Sequence, residues 1–193
     1  AELLARAADK DALYVITSDR VDAELLDAAP RVRVVATGSV GVNHIDGALC
    51  RARGVAVANT PDVLNEATAD MAWALLMATA RRVCESEHWL RAGRWQRWAW
   101  DQFLGQDLHG STLGIIGYGA LGKATADMGR ALGMKVLMAG RKGGAALEAG
   151  YTSFDEVLAQ SDVISLHCPL RPETRNLIGP IEFGKMARRP MLI

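Results

Sequence analysis

The chain has 193 residues, which at about 150 residues per domain corresponds to roughly 1.3 domains. Basic and acidic residues both number 22, so the net charge is zero and provides no overall field that would attract nucleic acid or an anionic membrane. With 50% hydrophobic and 23% charged residues, the composition is typical of a globular protein and excludes intrinsic disorder.

Short apolar segments rich in β-branched residues alternate with amphipathic segments, which predicts βαβ units around parallel sheets. In the first part of the chain, the predicted elements are strands 12–17, 32–37 and 55–58 and helices 22–29 and 45–53. Gly54 is a suitable residue to end the second of these helices. Residues 1–64 are therefore predicted to form one α/β domain.

A long helix is predicted to begin near Asn65, which we expect to be its N-cap. Residues 71–78 are apolar on every face of this helix, so we expect it to be buried between domains or between subunits. The domain boundary is accordingly placed at Asn65. Residues 89–100 contain four of the five tryptophans, interleaved with arginines, and are predicted to form a loop or arm.

The alternation resumes in residues 65–193, the second predicted domain. Its elements are strands 112–116, 135–139 and 162–166, a strand that begins at Met191, and helices 120–132, 153–160 and a weaker one near Ala145. The predicted fold class is α/β, with two doubly wound domains of parallel strands.

The sequence contains no sign of a metal site, a disulfide framework or a membrane segment. The cysteines Cys50, Cys84 and Cys168 form no C-x-x-C pair and predict reduced thiols. The longest strongly apolar run, residues 71–78, is far shorter than the roughly 20 residues that span a bilayer. No signal peptide is visible at the start of the sequence, because charged residues interrupt any apolar run there. We expect a cytoplasmic protein.

The strongest functional signal is a G-x-G-x-x-G motif formed by Gly117, Gly119 and Gly122. It follows an apolar strand directly and opens an amphipathic helix, which is the context of a dinucleotide-binding turn. The first glycine permits the tight turn, the second lets the backbone approach a pyrophosphate, and the third lets the helix pack closely on the strand. The amides of Ala120 and Leu121 are then expected to face the anion.

The end of the second strand of this domain predicts which nucleotide binds. A site for NAD usually has Asp or Glu about 20 residues after the motif, where the side chain bonds the ribose hydroxyls. This chain has Arg141 and Lys142 there, and the next acid is Glu148. Two cations can bind a 2′-phosphate, so we predict NADP(H) rather than NAD(H); a solvated charged turn is the alternative.

Five segments in colinear order resemble the D-isomer-specific 2-hydroxyacid dehydrogenases. They are Gly38–Asp46, Asn59–Pro61, Ala67–Asp70, Gly110–Gly119 and Leu166–Thr174. Residues 103–110, together with Gly140 and Arg141, look most like the glyoxylate and hydroxypyruvate reductases. The resemblance implies a flavodoxin-like substrate domain, a Rossmann nucleotide domain, and hydride transfer between the cofactor and a small 2-oxo acid.

The resemblance also implies roles for individual residues. The backbone amides of Val40 and Gly41 match those that bind the substrate carboxylate, and successive amides in a glycine turn form an anion-binding nest. Thr68 matches a position on the nicotinamide side of the cofactor. A loop that lines the ribose groups matches Cys168, Pro169 and Thr174, although Arg171 stands where many members have threonine.

The family's catalytic Arg, Glu and His lie after the strand that begins at Met191. The resemblance therefore implies that they follow Ile193 and that both domains are incomplete in this chain. No catalytic residue is assigned here. In the family, the tryptophan-containing arm and the apolar helix contribute to a homodimer, which we expect for this chain too.

Two other functions are compatible with parts of the sequence. Aromatic residues interleaved with arginines in the arm could stack on single-stranded nucleic acid, but acids elsewhere cancel the charge, so no nucleic-acid partner is predicted. The second is an NAD(P)-sensing interaction protein, since some transcriptional corepressors resemble the same family.

Overall fold

The computed structural model describes residues 2–143 and 149–193. The chain divides into two compact units, Ala1–Leu64 and Asn65–Ile193. Among the described residues, no helix combines the length and apolar character needed to cross a bilayer.

The first unit contains a sheet of three parallel strands that lie side by side in chain order. Its elements are helix α1 (Glu2–Ala7), strand β1 (Ala12–Val15), helix α2 (Ala23–Ala28), strand β2 (Val34–Thr37), helix α3 (Gly47–Ala52) and strand β3 (Ala56–Ala58). Buried aliphatic side chains such as Val15, Leu25 and Val35 form the core. Cys50 lies in the same core, and burial raises the pKa of its thiol.

Aspartates determine where two of these helices begin. The carboxylate of Asp22 accepts a hydrogen bond from the Leu25 amide, and that of Asp46 accepts one from the Leu49 amide. A side-chain acceptor at the N-cap satisfies an amide that has no partner within the helix. Helix α3 consequently starts at Gly47, two residues later than the predicted start, and Gly54 follows its end with a φ of +70°.

The described part of the second unit contains five parallel strands with helices between them. Its elements are α4 (Asn65–Ala80), α5 (Val83–Arg91), β4 (Thr112–Ile116), α6 (Ala120–Ala131), β5 (Lys135–Ala139), β6 (Tyr151–Thr152), α7 (Phe154–Gln160), β7 (Val163–Leu166), α8 (Pro180–Lys185) and β8 (Met191–Leu192). A short 3₁₀ turn spans Pro172–Thr174. The helix predicted near Ala145 lies outside the described residues.

The spatial order of the strands in the second unit is β6-β5-β4-β7-β8. The chain moves outward from β4 through β5 to β6 and then returns to place β7 on the other side of β4. In an open parallel sheet, ligands bind outside the carboxyl ends of the strands, at the point where the strand order reverses. That point lies between β4 and β7.

Helix α4 is buried on one side only within its unit. Trp73 is 4% exposed, and its indole nitrogen donates a hydrogen bond of 3.1 Å to the carbonyl of Thr125 in α6. Met71 and Leu75, in contrast, are 59% and 52% exposed. The chain alone therefore leaves part of the apolar helix uncovered. Asn65 is the first residue of the helix rather than the residue before it.

The arm predicted over residues 89–100 is partly helical. Trp89 lies in α5, which ends at Arg91. The ring of Trp89 meets that of Phe103 edge-on, with 5.9 Å between centroids, and the Arg94 guanidinium lies 5.3 Å from its centroid. The remaining tryptophans of the arm are exposed: Trp95, Trp98 and Trp100.

Candidate nucleotide and carboxylate sites

The G-x-G-x-x-G motif forms the turn between β4 and α6. Gly117 has a φ of +98°, and a Cβ atom there would lie 2.5 Å from the amide nitrogen of Cys168. A Cβ atom on Gly122 would collide with the Gly117 carbonyl oxygen. Gly117 must therefore be glycine because of its backbone conformation and because the loop after β7 lies close to it. Gly122 must be glycine because α6 packs against the backbone of the turn.

Gly119 differs from these two glycines because no atoms crowd the position that its side chain would occupy. It is the N-cap of α6, no side chain caps the helix there, and a Cβ atom built on it would meet nothing within 4 Å. The amides of Ala120 and Leu121 follow in the first turn, where helix amides have no partner inside the helix. An open helix N-terminus with free amides is suited to a phosphate group, so these residues fit a dinucleotide.

The loop after β7 forms the neighbouring wall. It is joined to the end of β4 by a hydrogen bond of 2.7 Å from the His167 amide to the Ile116 carbonyl oxygen. Cys168 is half-buried and Pro169 is exposed. The Thr174 hydroxyl lies 2.6 Å from the Pro169 carbonyl oxygen and 2.8 Å from the Arg171 amide, so it holds the loop in shape.

His167 is half-buried at the base of this loop, and burial lowers its pKa. Its Nε2 lies 2.8 Å from the Ser165 hydroxyl. Neutral imidazole is thereby favoured at this position. The side chain supports the loop through Ser165 of β7, the preceding strand, and is not paired with a carboxylate among the described residues.

The segment after β5 lies at the same edge of the sheet. The Gly140 amide donates a hydrogen bond of 2.8 Å to the Thr152 carbonyl, which places Arg141 and Lys142 directly after the strand. Arg141 is exposed. The Lys142 ammonium, however, lies 2.7 Å from a carboxylate oxygen of Glu182. The two cations that the sequence analysis treated together are therefore in different electrostatic environments.

Thr68 is exposed at the end of the first turn of α4. Within the described residues, no group of three or more His, Cys, Asp or Glu side chains is arranged to hold a metal ion.

In the first unit, the loop that contains Val40 and Gly41 follows β2 and is fixed by polar contacts. The Asn59 side-chain amide donates a hydrogen bond of 2.8 Å to the Val40 carbonyl, and the Ser39 hydroxyl donates one of 2.8 Å to the Gly41 carbonyl. With both carbonyls engaged and both residues exposed, the loop has a defined conformation. Successive amides in such a loop can bind an anion.

A chain of side chains extends from this loop into the unit. Ser39 Oγ lies 2.8 Å from Thr37 Oγ1, which lies 3.1 Å from His44 Nε2. His44 is thus a half-buried loop support. No role was predicted for Thr37 or Asn59 from the sequence. Asn59 could have been found from topology, because it follows β3, and the carboxyl ends of neighbouring parallel strands lie at one edge of a sheet.

The reversal of strand order at β4 and β7, the glycine turn and the open N-terminus of α6 define a dinucleotide-binding α/β protein. Residues 73–193 match the family model described as the NAD binding domain of the D-isomer specific 2-hydroxyacid dehydrogenases. The chain belongs to this family, as its motifs indicated.

Two relatives and two solved structures illustrate the similarity. Glyoxylate reductases of Aeropyrum pernix and Thermococcus kodakarensis are each 43% identical over 199 residues and are covered over 59% and 60% of their length, with 99% of this chain aligned. The crystal structure of the TT0316 protein from Thermus thermophilus superposes with a TM-score of 0.92 at 43% identity, over 99% of this chain and 61% of that one.

The second structure is that of D-lactate dehydrogenase from Aquifex aeolicus, complexed with NAD and lactic acid. It has a TM-score of 0.83 and 30% identity, over 95% of this chain and 55% of that one. Compared with the two glyoxylate reductases, the chain spans about 60% of the length of its curated relatives.

Proposed function

We propose that the protein carrying this chain is an oxidoreductase that transfers hydride between NADP(H) and a small 2-oxo or D-2-hydroxy acid. The observation that carries the proposal is the glycine turn between β4 and α6, whose open helix N-terminus fits a pyrophosphate. Glyoxylate reduction is a favoured reaction because relatives that are 43% identical are named glyoxylate reductases. Hydroxypyruvate reduction is favoured beside it because residues 103–110, with Gly140 and Arg141, resemble the glyoxylate and hydroxypyruvate reductases.

The two units have different tasks in this proposal. Residues 65–193 bind the nucleotide, with the amides of Ala120 and Leu121 on the pyrophosphate and the loop of Cys168, Pro169 and Thr174 beside the ribose groups. Residues 1–64 bind the substrate carboxylate through the amides of Val40 and Gly41. Thr68 is assigned to the nicotinamide side of the cofactor. The nicotinamide supplies the hydride when it is bound, so no metal is needed for that step.

The preference for NADP(H) rests on the segment after β5. No carboxylate follows that strand up to Gly143, so the ribose hydroxyls have no acidic partner there. Arg141 is exposed at the strand end and carries a charge that a 2′-phosphate can pair with. The cytoplasm, where NADP(H) and small 2-oxo acids occur, is the proposed location.

Exchanging Arg141 for aspartate tests the nucleotide preference. The R141D variant places a carboxylate opposite the 2′-phosphate, so we expect the Kd for NADPH to rise by more than about tenfold, a change of about 1.4 kcal/mol. The Kd for NADH should change by less than about twofold. Equilibrium titration of nucleotide fluorescence measures both constants. R33D, at an exposed arginine of the first unit, is the matched control, and equal losses of both nucleotides in R141D would contradict the preference.

Turnover of the full-length protein is measured as oxidation of NADPH in the presence of glyoxylate, hydroxypyruvate or pyruvate. Reduction of at least one of these acids is expected. NADPH binding without turnover of any of them would contradict the enzyme assignment and would favour an NAD(P)-sensing interaction protein.

A further inference from the structure

Within the described residues, the Lys142 ammonium contacts parts of the chain that follow β6. It lies 2.7 Å from Glu182 Oε1 and donates to the Leu177 carbonyl oxygen at 3.4 Å. The same group lies 5.9 Å from the centroid of the Phe154 ring. The ammonium therefore points toward α7 and α8.

Glu182 is the stronger partner because it is buried. It is 5% exposed, and its second carboxylate oxygen accepts a hydrogen bond of 2.9 Å from the Gly179 amide at the start of α8. The hydrogen bond with Lys142 lowers the pKa of the carboxyl, which favours its ionised form. A buried carboxylate that loses its cation is left uncompensated, which is strongly unfavourable. Lys142 is thus restrained from turning toward a ligand.

This pair joins two segments that are far apart in the sequence. Lys142 belongs to the segment after β5, whereas Glu182 and Leu177 belong to the segment after the 3₁₀ turn. Arg141, the residue before Lys142, is exposed and has no ion pair within the described residues. Its backbone lies between two attached neighbours, Gly140, whose amide is bonded to the Thr152 carbonyl, and Lys142, which is paired with Glu182.

We propose that Lys142 and Glu182 act together as positioning residues that hold Arg141 in place for the 2′-phosphate, and that Lys142 does not contact the phosphate itself. This inference rests on the proposed preference for NADP(H). From charge alone, removal of the acid Glu182 would be expected to strengthen the binding of the negatively charged 2′-phosphate. The proposal predicts the opposite, because removal of Glu182 releases Lys142 and with it the position of Arg141.

Three variants test the pair, each measured by its Kd for NADPH and for NADH. Exchange of either partner for glutamine, K142Q or E182Q, should weaken NADPH binding by about threefold with NADH unchanged, since each removes the same attachment. The double variant K142Q/E182Q should be no weaker than either single one. A glutamine at position 182 can still accept from the Gly179 amide, so the start of α8 is retained.

Two further variants separate positioning from general loss of structure. K142R keeps a cation opposite Glu182 and should retain the nucleotide preference of the parent protein. K185Q removes the ion pair of Lys185 with Asp155, which joins α8 to α7, and should leave both dissociation constants unchanged. A structural defect alone would weaken NADH and NADPH alike.

The outcomes distinguish this inference from the proposed function. If E182Q strengthens NADPH binding or leaves it unchanged, or if the losses in the double variant add, Lys142 acts directly on the ligand and the inference is overturned. If the parent protein itself binds NADH as tightly as NADPH, the proposed nucleotide preference is wrong, whatever the variants show.

Discussion

The glycines of the nucleotide turn are required for different physical reasons. Gly122 packs α6 against the backbone of the turn, so any side chain there displaces one of them. Gly119 faces open space and has a φ of −81°, which other residues adopt readily. We therefore expect substitution of Gly122 to reduce mainly the stability of the fold, and substitution of Gly119 to reduce mainly the affinity for the nucleotide.

Alanine exchanges at these positions test that separation. G122A forces the Cβ atom against the Gly117 carbonyl oxygen and should lower the free energy of unfolding by about 1–3 kcal/mol. G119A should cost less stability but weaken NADPH binding by at least about tenfold, because the methyl group occupies the approach of the pyrophosphate. Thermal denaturation without ligand and nucleotide titration measure the two effects. If the G119A variant binds NADPH as tightly as the parent protein, the pyrophosphate does not bind at Gly119 and the proposed position is wrong.

Individual contacts of charged residues were beyond prediction. The G-x-G-x-x-G spacing sufficed to locate the turn, because the backbone requires glycine at Gly117 and Gly122, and Gly119 leaves the start of α6 open. The partner of Lys142 did not follow from the sequence, since Glu182 meets it only through the packing of α8 beside the segment after β5. A sequence pattern describes residues that are close together in the chain, so it cannot predict an ion pair between two residues as distant in the sequence as Lys142 and Glu182.

At the scale of elements, apolar strands were the easiest to predict. The structure has strands at Thr112–Ile116 and Lys135–Ala139, with the predicted bounds, because each is a largely apolar run that is followed by glycine. Only the end of helix α5, residues 89–91, fell within the predicted arm, because polar residues and scattered tryptophans hide the helical period there. The start of α3 was placed too early because Ile45 continues the apolar pattern while Asp46 caps the helix.

The loop after β2 illustrates how one element supports another. Asn59, directly after β3, holds the Val40 carbonyl, so the amides proposed to bind the substrate carboxylate depend on a neighbouring strand. We expect N59A to raise the KM for the 2-oxo acid about fivefold, the factor that corresponds to one hydrogen bond of about 1 kcal/mol. The KM for NADPH should not change.

Steady-state kinetics with each substrate varied in turn measure these constants. Asn43 lies in the same loop and is exposed, so N43A is the matched control and should leave both constants unchanged. Equal increases in both KM values for N59A would show that the loop does not act on the acid alone.

At the scale of the whole molecule, the chain leaves large apolar side chains uncovered. Trp98 and Trp100 are 77% and 75% exposed, and Met71 is 59% exposed. Tryptophans at this exposure are typical of surfaces that bind another protein. We propose that a second copy of the protein covers them.

Removing the two tryptophans tests the homodimer. The variant W98S/W100S should sediment as a monomer at concentrations at which the parent is a dimer, since aromatic residues dominate interface energies. Ile181 on α8 is 71% exposed, and I181S is the control that should remain dimeric. A parent protein that sediments as a monomer would contradict the proposal.

The reversal of strand order also determines how the nucleotide turn is assembled. Parallel pairing of β4 with β7 brings Leu113 beside Val163, so the chain between them must close a long loop before this pair forms. Gly117 reaches its final surroundings only then, because the loop after β7 lies against it. The nucleotide proposed to bind at this turn would contact both the glycine segment and the loop after β7, so its binding energy would be linked to the folding of the central sheet.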